Sequence, residues 1–109
     1  MPKLSINEEL IVLEICMIVC ASRNEPINNL FLPSRCKAAT CQTRQICMYL
    51  SVVELNHSYT GVGEFFYRDR TTVAHACKVI EDKRDHITFD EELSKYSNQI
   101  RVHMEKILK

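Results

Sequence analysis

An all-α domain is the fold class this sequence predicts, and three observations predict it. Only 2 Gly and 3 Pro occur in 109 residues, too few for a hairpin-rich β fold. Apolar residues recur at three- and four-residue intervals instead of alternating, which is the period of helices with one buried face. Capping residues precede several of these periodic runs. At 46% hydrophobic and 26% charged, the chain has a globular balance and enough apolar material for a core without staples. No repeat, low-complexity tract or linker interrupts it, so residues 1–109 read as a single domain.

The elements follow in order. Ser5 and Glu8 have the spacing of a capping box. Behind them Leu10, Leu13, Met17 and Cys20, joined by Ile6, Val12, Ile15, Cys16 and Val19, predict a broadly buried helix over about 6–22. Asn24 and Pro26 end it, and about 28–32 has room for one short helical turn before Pro33. Residues 33–41 carry two bases and no apolar period, and are expected to be a loop. A helix over about 42–55 turns Ile46, Tyr49, Leu50 and Val53 inward, and Asn56 to Ser58 ends it. A short helix over about 60–66 uses Val62, Phe65 and Phe66. After Tyr67 and Arg68, Asp69 caps a helix over about 70–86 with Val73, Ala76, Cys77 and Ile80 on its buried stripe. Thr88 or Asp90 opens a last helix to about 108, with Leu93, Ile100, Met104 and Ile107 inward.

The most apolar run, from Leu10 to Ala21, is broken by Glu14 and is too short to span a bilayer. It also lacks the basic start and cleavage site of a secretory signal, so neither export nor a membrane partner is expected. In a reducing cytoplasm the 6 Cys read as reduced, mostly buried thiols. Formal net charge is zero, but its distribution is uneven. From residue 35 to 78 the bases Arg35, Lys37, Arg44, Arg68, Arg70 and Lys78 outnumber Glu54, Glu64 and Asp69. A neutral total therefore hides one basic region, the footprint of a polyanionic partner.

Two helices joined by a turn of a few residues, the second opening on polar side chains, form a helix-turn-helix pattern over about 60–85. With Val73 facing the core, Thr71, His75, Lys78 and Asp82 face outward, beside Ala74. The outward face is polar and basic at its N-terminal end and acidic only at Glu81 and Asp82, which suits a helix end pushed into a major groove. Arg70 has the fork for guanine O6 and N7, Asp69 accepts from cytosine N4, and the Thr71 methyl packs on thymine. Thr72 and His75 are placed to hold phosphates.

The run from Arg68 to Cys77, RDRTTVAHAC, followed by Ile80 and Glu81, closely resembles the signature of the C-terminal DNA-binding domain of the bacterial replication initiator DnaA. The resemblance extends through Thr43, Arg44 and Gln45, through Asn56, His57 and Ser58, and through Val62, Gly63 and Phe66, covering about residues 6–108. It implies a six-helix domain with a helix-turn-helix, DnaA domain IV-like and Trp-repressor-like, that binds short asymmetric boxes in double-stranded DNA. By position it implies base readout by Asp69, Arg70 and Thr71. Backbone contacts fall to Arg44, Gln45, Thr60, Thr72, His75 and Lys78, and a minor-groove basic loop to Arg35 and Lys37. Departures from the family pattern are Arg70 where His is usual, a turn one residue shorter, Tyr67 in place of Gly, and Cys36 near an expected minor-groove Arg. Arg70 and the short turn resemble small stand-alone relatives from alphaproteobacteria.

The sequence has no G-x-x-x-x-G-K-[ST] run, so no nucleotide-driven motor is expected in it and any replication role would be regulatory, with transcription control fitting equally. Replication or transcription proteins are then natural partners, in the cytoplasm at the nucleoid. Cys36, Cys41 and Cys47 with His57 or His75 lack any C-x2-C pair, so no metal or other cofactor is expected. His75 and Cys77 diverge on their helix, so no catalytic residues and no enzyme are expected. A monomer is expected ahead of a dimer, because the box is asymmetric. The rival reading is a protein–protein adaptor that keeps the fold without binding DNA.

Overall fold

The computed structural model describes residues 3–32 and 37–108, without the side chains of 107 and 108. Among them lie five α-helices and one 3₁₀ segment: α1 (Ile6–Arg23), the 3₁₀ segment Ile27–Phe31, α2 (Ala38–Leu55), α3 (Tyr59–Phe66), α4 (Arg70–Lys83) and α5 (Ile87–Leu108). The all-α reading holds. The expected count of six helices becomes five, because the turn expected at 28–32 is a 3₁₀ segment. No described helix is long and apolar enough to cross a membrane.

Local chemistry sets the boundaries. Ser5 and Glu8 close the capping box reciprocally, Ser5 N–H donating to Glu8 Oε1 at 2.8 Å and Glu8 N–H to Ser5 Oγ at 3.2 Å. Asn24 ends α1 and Asn56 ends α2, both left-handed, a conformation Asn tolerates better than most residues. Ser58 caps α3 by accepting from Gly61 N–H at 3.0 Å.

Helix α2 begins four residues before the expected 42, so part of the predicted loop is helical. The buried side of its first turns is polar, which hid the apolar period. Thr40 donates to Glu25 at 2.9 Å, Thr43 donates to the Ala39 carbonyl at 2.9 Å, and Arg44 serves carbonyls of the 3₁₀ segment. Arg23 joins three elements through Thr43, Gln42 and, at 2.7 Å, Glu92. Among the described residues no buried side-chain nitrogen or oxygen lacks a partner.

Val12, Ile15, Val19, Ile46, Leu50, Phe66, Val73, Ile80, Leu93, Tyr96 and Ile100 form the core. Helix α2 runs through its centre, with α1 and α5 against it and α3 and α4 packed beside it. Leu10, Leu13, Met17 and Val53 were expected inward and instead face solvent. Helix α1 is covered by α2 and α5, which bury its Ile11–Val12–Ile15–Val19 side and leave the opposite one open. Cys16, Cys20 and Cys47 are free and buried, and Cys77 is free and half-buried. Cys41 is disulfide-bonded, which corrects the fully reduced reading there.

Candidate nucleic-acid interface

Helices α3 and α4 are separated only by Tyr67, Arg68 and Asp69. Tyr67 ends α3 in the left-handed region at φ 58° and ψ 40°, its N–H directed to the Glu64 and Gly63 carbonyls. Arg68 N–H donates to the Gly63 carbonyl at 2.9 Å, folding the turn back against α3. The aromatic rings of Phe31, Phe65, Phe66 and Tyr67 pack together, with Phe31 stacked on Phe66 at 5.7 Å. The 3₁₀ segment is thereby fixed to the same corner.

Asp69 is the N-cap of α4. Its Oδ1 accepts from Thr72 N–H at 2.9 Å, Thr71 Oγ1 at 2.7 Å and Thr72 Oγ1 at 3.1 Å. These bonds, led by the Thr71 hydroxyl, hold the Asp69 carboxyl below the ordinary aspartate range. All three land on one oxygen, Oδ1. The Thr71 hydroxyl is tied to Asp69, so its methyl is what remains for an apolar contact.

Asp69, Arg70, Thr71 and Thr72 are all exposed at the head of α4, whereas Val73, Ala76 and Ile80 are buried beneath. His75 and Lys78 continue the exposed side, Lys78 beside Asp82 at 3.6 Å. The outward set read from helical spacing is therefore the exposed set. Thr60 and Gln45 are half-buried, on α3 and α2. Lys37 is exposed as the N-cap residue of α2. Arg35 and Cys36 lie outside the described residues.

Arg44 lies largely buried near the start of α2. It is only 8% exposed, and its Nε and Nη2 donate to the Leu30 and Asn29 carbonyls at 2.8 and 3.3 Å. Burial first, and then the Arg68 charge, lowers its pKa. Through these bonds the guanidinium supports the 3₁₀ segment.

Sequence reasoning missed Arg68 as a site residue. Its Nη2 donates to the Leu32 carbonyl at 2.6 Å and its Nη1 to the Phe66 and Tyr67 carbonyls at 3.2 and 3.3 Å. It thus ties the chain at Leu32 to the turn ahead of α4. Only its place beside the capping Asp69 hinted at this. Gly63 was noted as part of a pattern without its reason, which is a close approach to the Arg68 carbonyl.

At the far end of α4, Tyr49 donates to Glu81 at 2.6 Å, and Arg84 donates to Tyr49 at 3.1 Å and to Asp90 at 2.6 Å. This network anchors α4 to α2 and α5 at the end remote from Asp69, so the helix is held at its C-terminus and presented at its N-terminus.

A short helix, a tight turn and a second helix anchored behind with an exposed, capped, polar head define a helix-turn-helix domain. The family model of the bacterial DnaA protein helix-turn-helix matches residues 12–80. The chromosomal replication initiator protein DnaA of Bifidobacterium animalis subsp. lactis (strain AD011) is 38% identical over 77 residues, which is 70% of this chain and 12% of that protein. The chain therefore spans about an eighth of that relative's length. It belongs to the bacterial DnaA helix-turn-helix family.

Proposed function

We propose that this domain binds double-stranded DNA sequence-specifically by inserting the head of α4 into the major groove, and that it regulates replication initiation or transcription. The observation that carries this reading is the exposure of Asp69, Arg70, Thr71 and Thr72 on a helix start whose next residue, Val73, is fully buried. Arg70, which makes no hydrogen bond or ion pair among the described residues, reads guanine through its fork. Asp69 caps with Oδ1 and accepts from cytosine with Oδ2, and Thr71 offers its methyl to thymine. Thr72, His75, Lys78, Thr60 and Gln45 hold the backbone, where Thr72 exchanges its bond to Asp69 for one to phosphate.

Lys37 and Arg35 act from the segment just before α2, next to Leu32, which Arg68 holds, and to the 3₁₀ segment, which Arg44 braces. The family match and the 38% identity to an initiator support a replication role. No catalytic, metal or nucleotide chemistry is assigned to these residues, and a monomer suffices for one asymmetric box.

Selection of duplexes from a random pool by the purified chain, followed by sequencing, tests this reading. A recovered consensus with a guanine whose replacement weakens binding supports it. Failure to enrich any sequence, or no binding to random duplex even at low salt, overturns it and favours the adaptor reading.

A further inference from the structure

Helix α1 leaves a continuous apolar stripe in solvent. Ile6, Leu10, Leu13 and Met17 are 78, 49, 40 and 51% exposed, and at about 3.6 residues per turn they share one face. Their alternating four- and three-residue steps are those of a heptad seam. Single exposed apolar residues are ordinary, but a line of four along one helix marks a contact surface. The opposite side of α1 is already consumed by the core against α2 and α5. Helix α4 packs on α2 and α3, so covering this stripe leaves the head of α4 free.

Charge indicates what covers it. Exposed Glu9 borders one edge, and Glu14, 3.1 Å from His103, borders the other. No Lys or Arg occurs between Leu4 and Ser22, and Arg23 is turned toward Thr43, Gln42 and Glu92. A second α1 laid along the seam would set carboxylates against carboxylates as water is excluded, which is unfavourable. The complementary occupant has apolar residues at heptad spacing and Lys or Arg beside them. We propose that the exposed face of α1 docks a basic amphipathic helix of a partner protein, away from the head of α4.

The test uses three-heptad, fluorescein-labelled peptides titrated with the whole chain at physiological salt. One has a Leu seam with Lys flanks, one the same seam with Glu flanks, and one the Lys-flanked composition scrambled. The Lys-flanked peptide is expected to bind at least about tenfold more tightly than either control. It should shift backbone amide resonances of residues 6–17 in the unaltered protein. The variant Leu10→Gln/Leu13→Gln/Met17→Gln, with its helical circular dichroism retained, should lose about tenfold or more in affinity for that peptide. Should the variant fail to fold, the resonance map on the unaltered protein decides. Equal binding of the three peptides, or resonance shifts away from α1, would overturn the proposal. So would a concentration-dependent dimer in sedimentation that the triple variant abolishes, since the occupant would then be a second copy.

Discussion

Gly63 lies so close to Arg68 that a Cβ built on it would fall 2.6 Å from the Arg68 carbonyl oxygen and 3.3 Å from that of Asp69. The Gly63 carbonyl in turn accepts the Arg68 N–H at 2.9 Å. The end of α3 and the start of the turn are thus in backbone contact, and this contact sets where α4 begins.

Gly63→Ala should therefore be costly despite the high helix propensity of Ala. The obstructing atoms are backbone, so the turn must shift as a unit, and we expect a loss of about 1–3 kcal/mol in urea unfolding. A variant as stable as the parent would show that the turn yields freely.

Tyr67 holds a left-handed backbone that costs a residue with a Cβ about 1 kcal/mol. Its ring returns part of this through Phe31, 6.4 Å away edge-on. Tyr67→Gly should stabilise by about 0.5 kcal/mol, a rise in Tm of a few degrees. Tyr67→Ala, which loses the ring and keeps the strain, should lower Tm. The opposite order of the two variants would contradict this account of the turn.

Much of this corner was readable from residue chemistry. Asp69 ahead of a run with Val73, Ala76 and Ile80 at helical spacing announced a capped helix, and its exposed residues are the expected ones. Ser5 with Glu8 did the same for α1. Less legible was anything decided by which neighbour arrives. Leu10, Leu13 and Met17 have the apolar character of core residues, yet the elements packed on α1 cover only its other side. The first turns of α2 bury Thr40, Thr43 and Arg44, so hydrophobic periodicity had nothing there to detect. Arg44 looked like a surface base because its carbonyl partners come from a segment about fifteen residues away in sequence.

The burial of Arg44 separates two outcomes. Arg44→Met should destabilise by about 1.5–3 kcal/mol, since it strips charged hydrogen bonds from buried carbonyls. Thermal and urea unfolding without DNA would register the loss. A residue serving only phosphate would leave stability unchanged and reduce DNA affinity alone.

The Asp69 cap carries a pH signature. Because the Thr71 hydroxyl and then the Thr72 amide and hydroxyl hold the folded carboxyl below the ordinary 3.8, its contribution is complete above that value. It is lost as pH falls through the lower folded value. Asp69→Asn keeps a capping oxygen without titrating. The stability gap between parent and Asp69→Asn should therefore shrink as acidity passes below the ordinary aspartate range. A gap independent of pH would contradict the cap's assigned ionisation.

The most direct measurement is a fluorescence-anisotropy titration of parent and Arg70→Ala against the selected box and against random duplex at one salt concentration. Arg70→Ala is expected to lower the ratio of specific to random affinity by about 1–3 kcal/mol and to relax preference at one base pair. An unchanged ratio, with every base preference intact, would contradict readout by the head of α4.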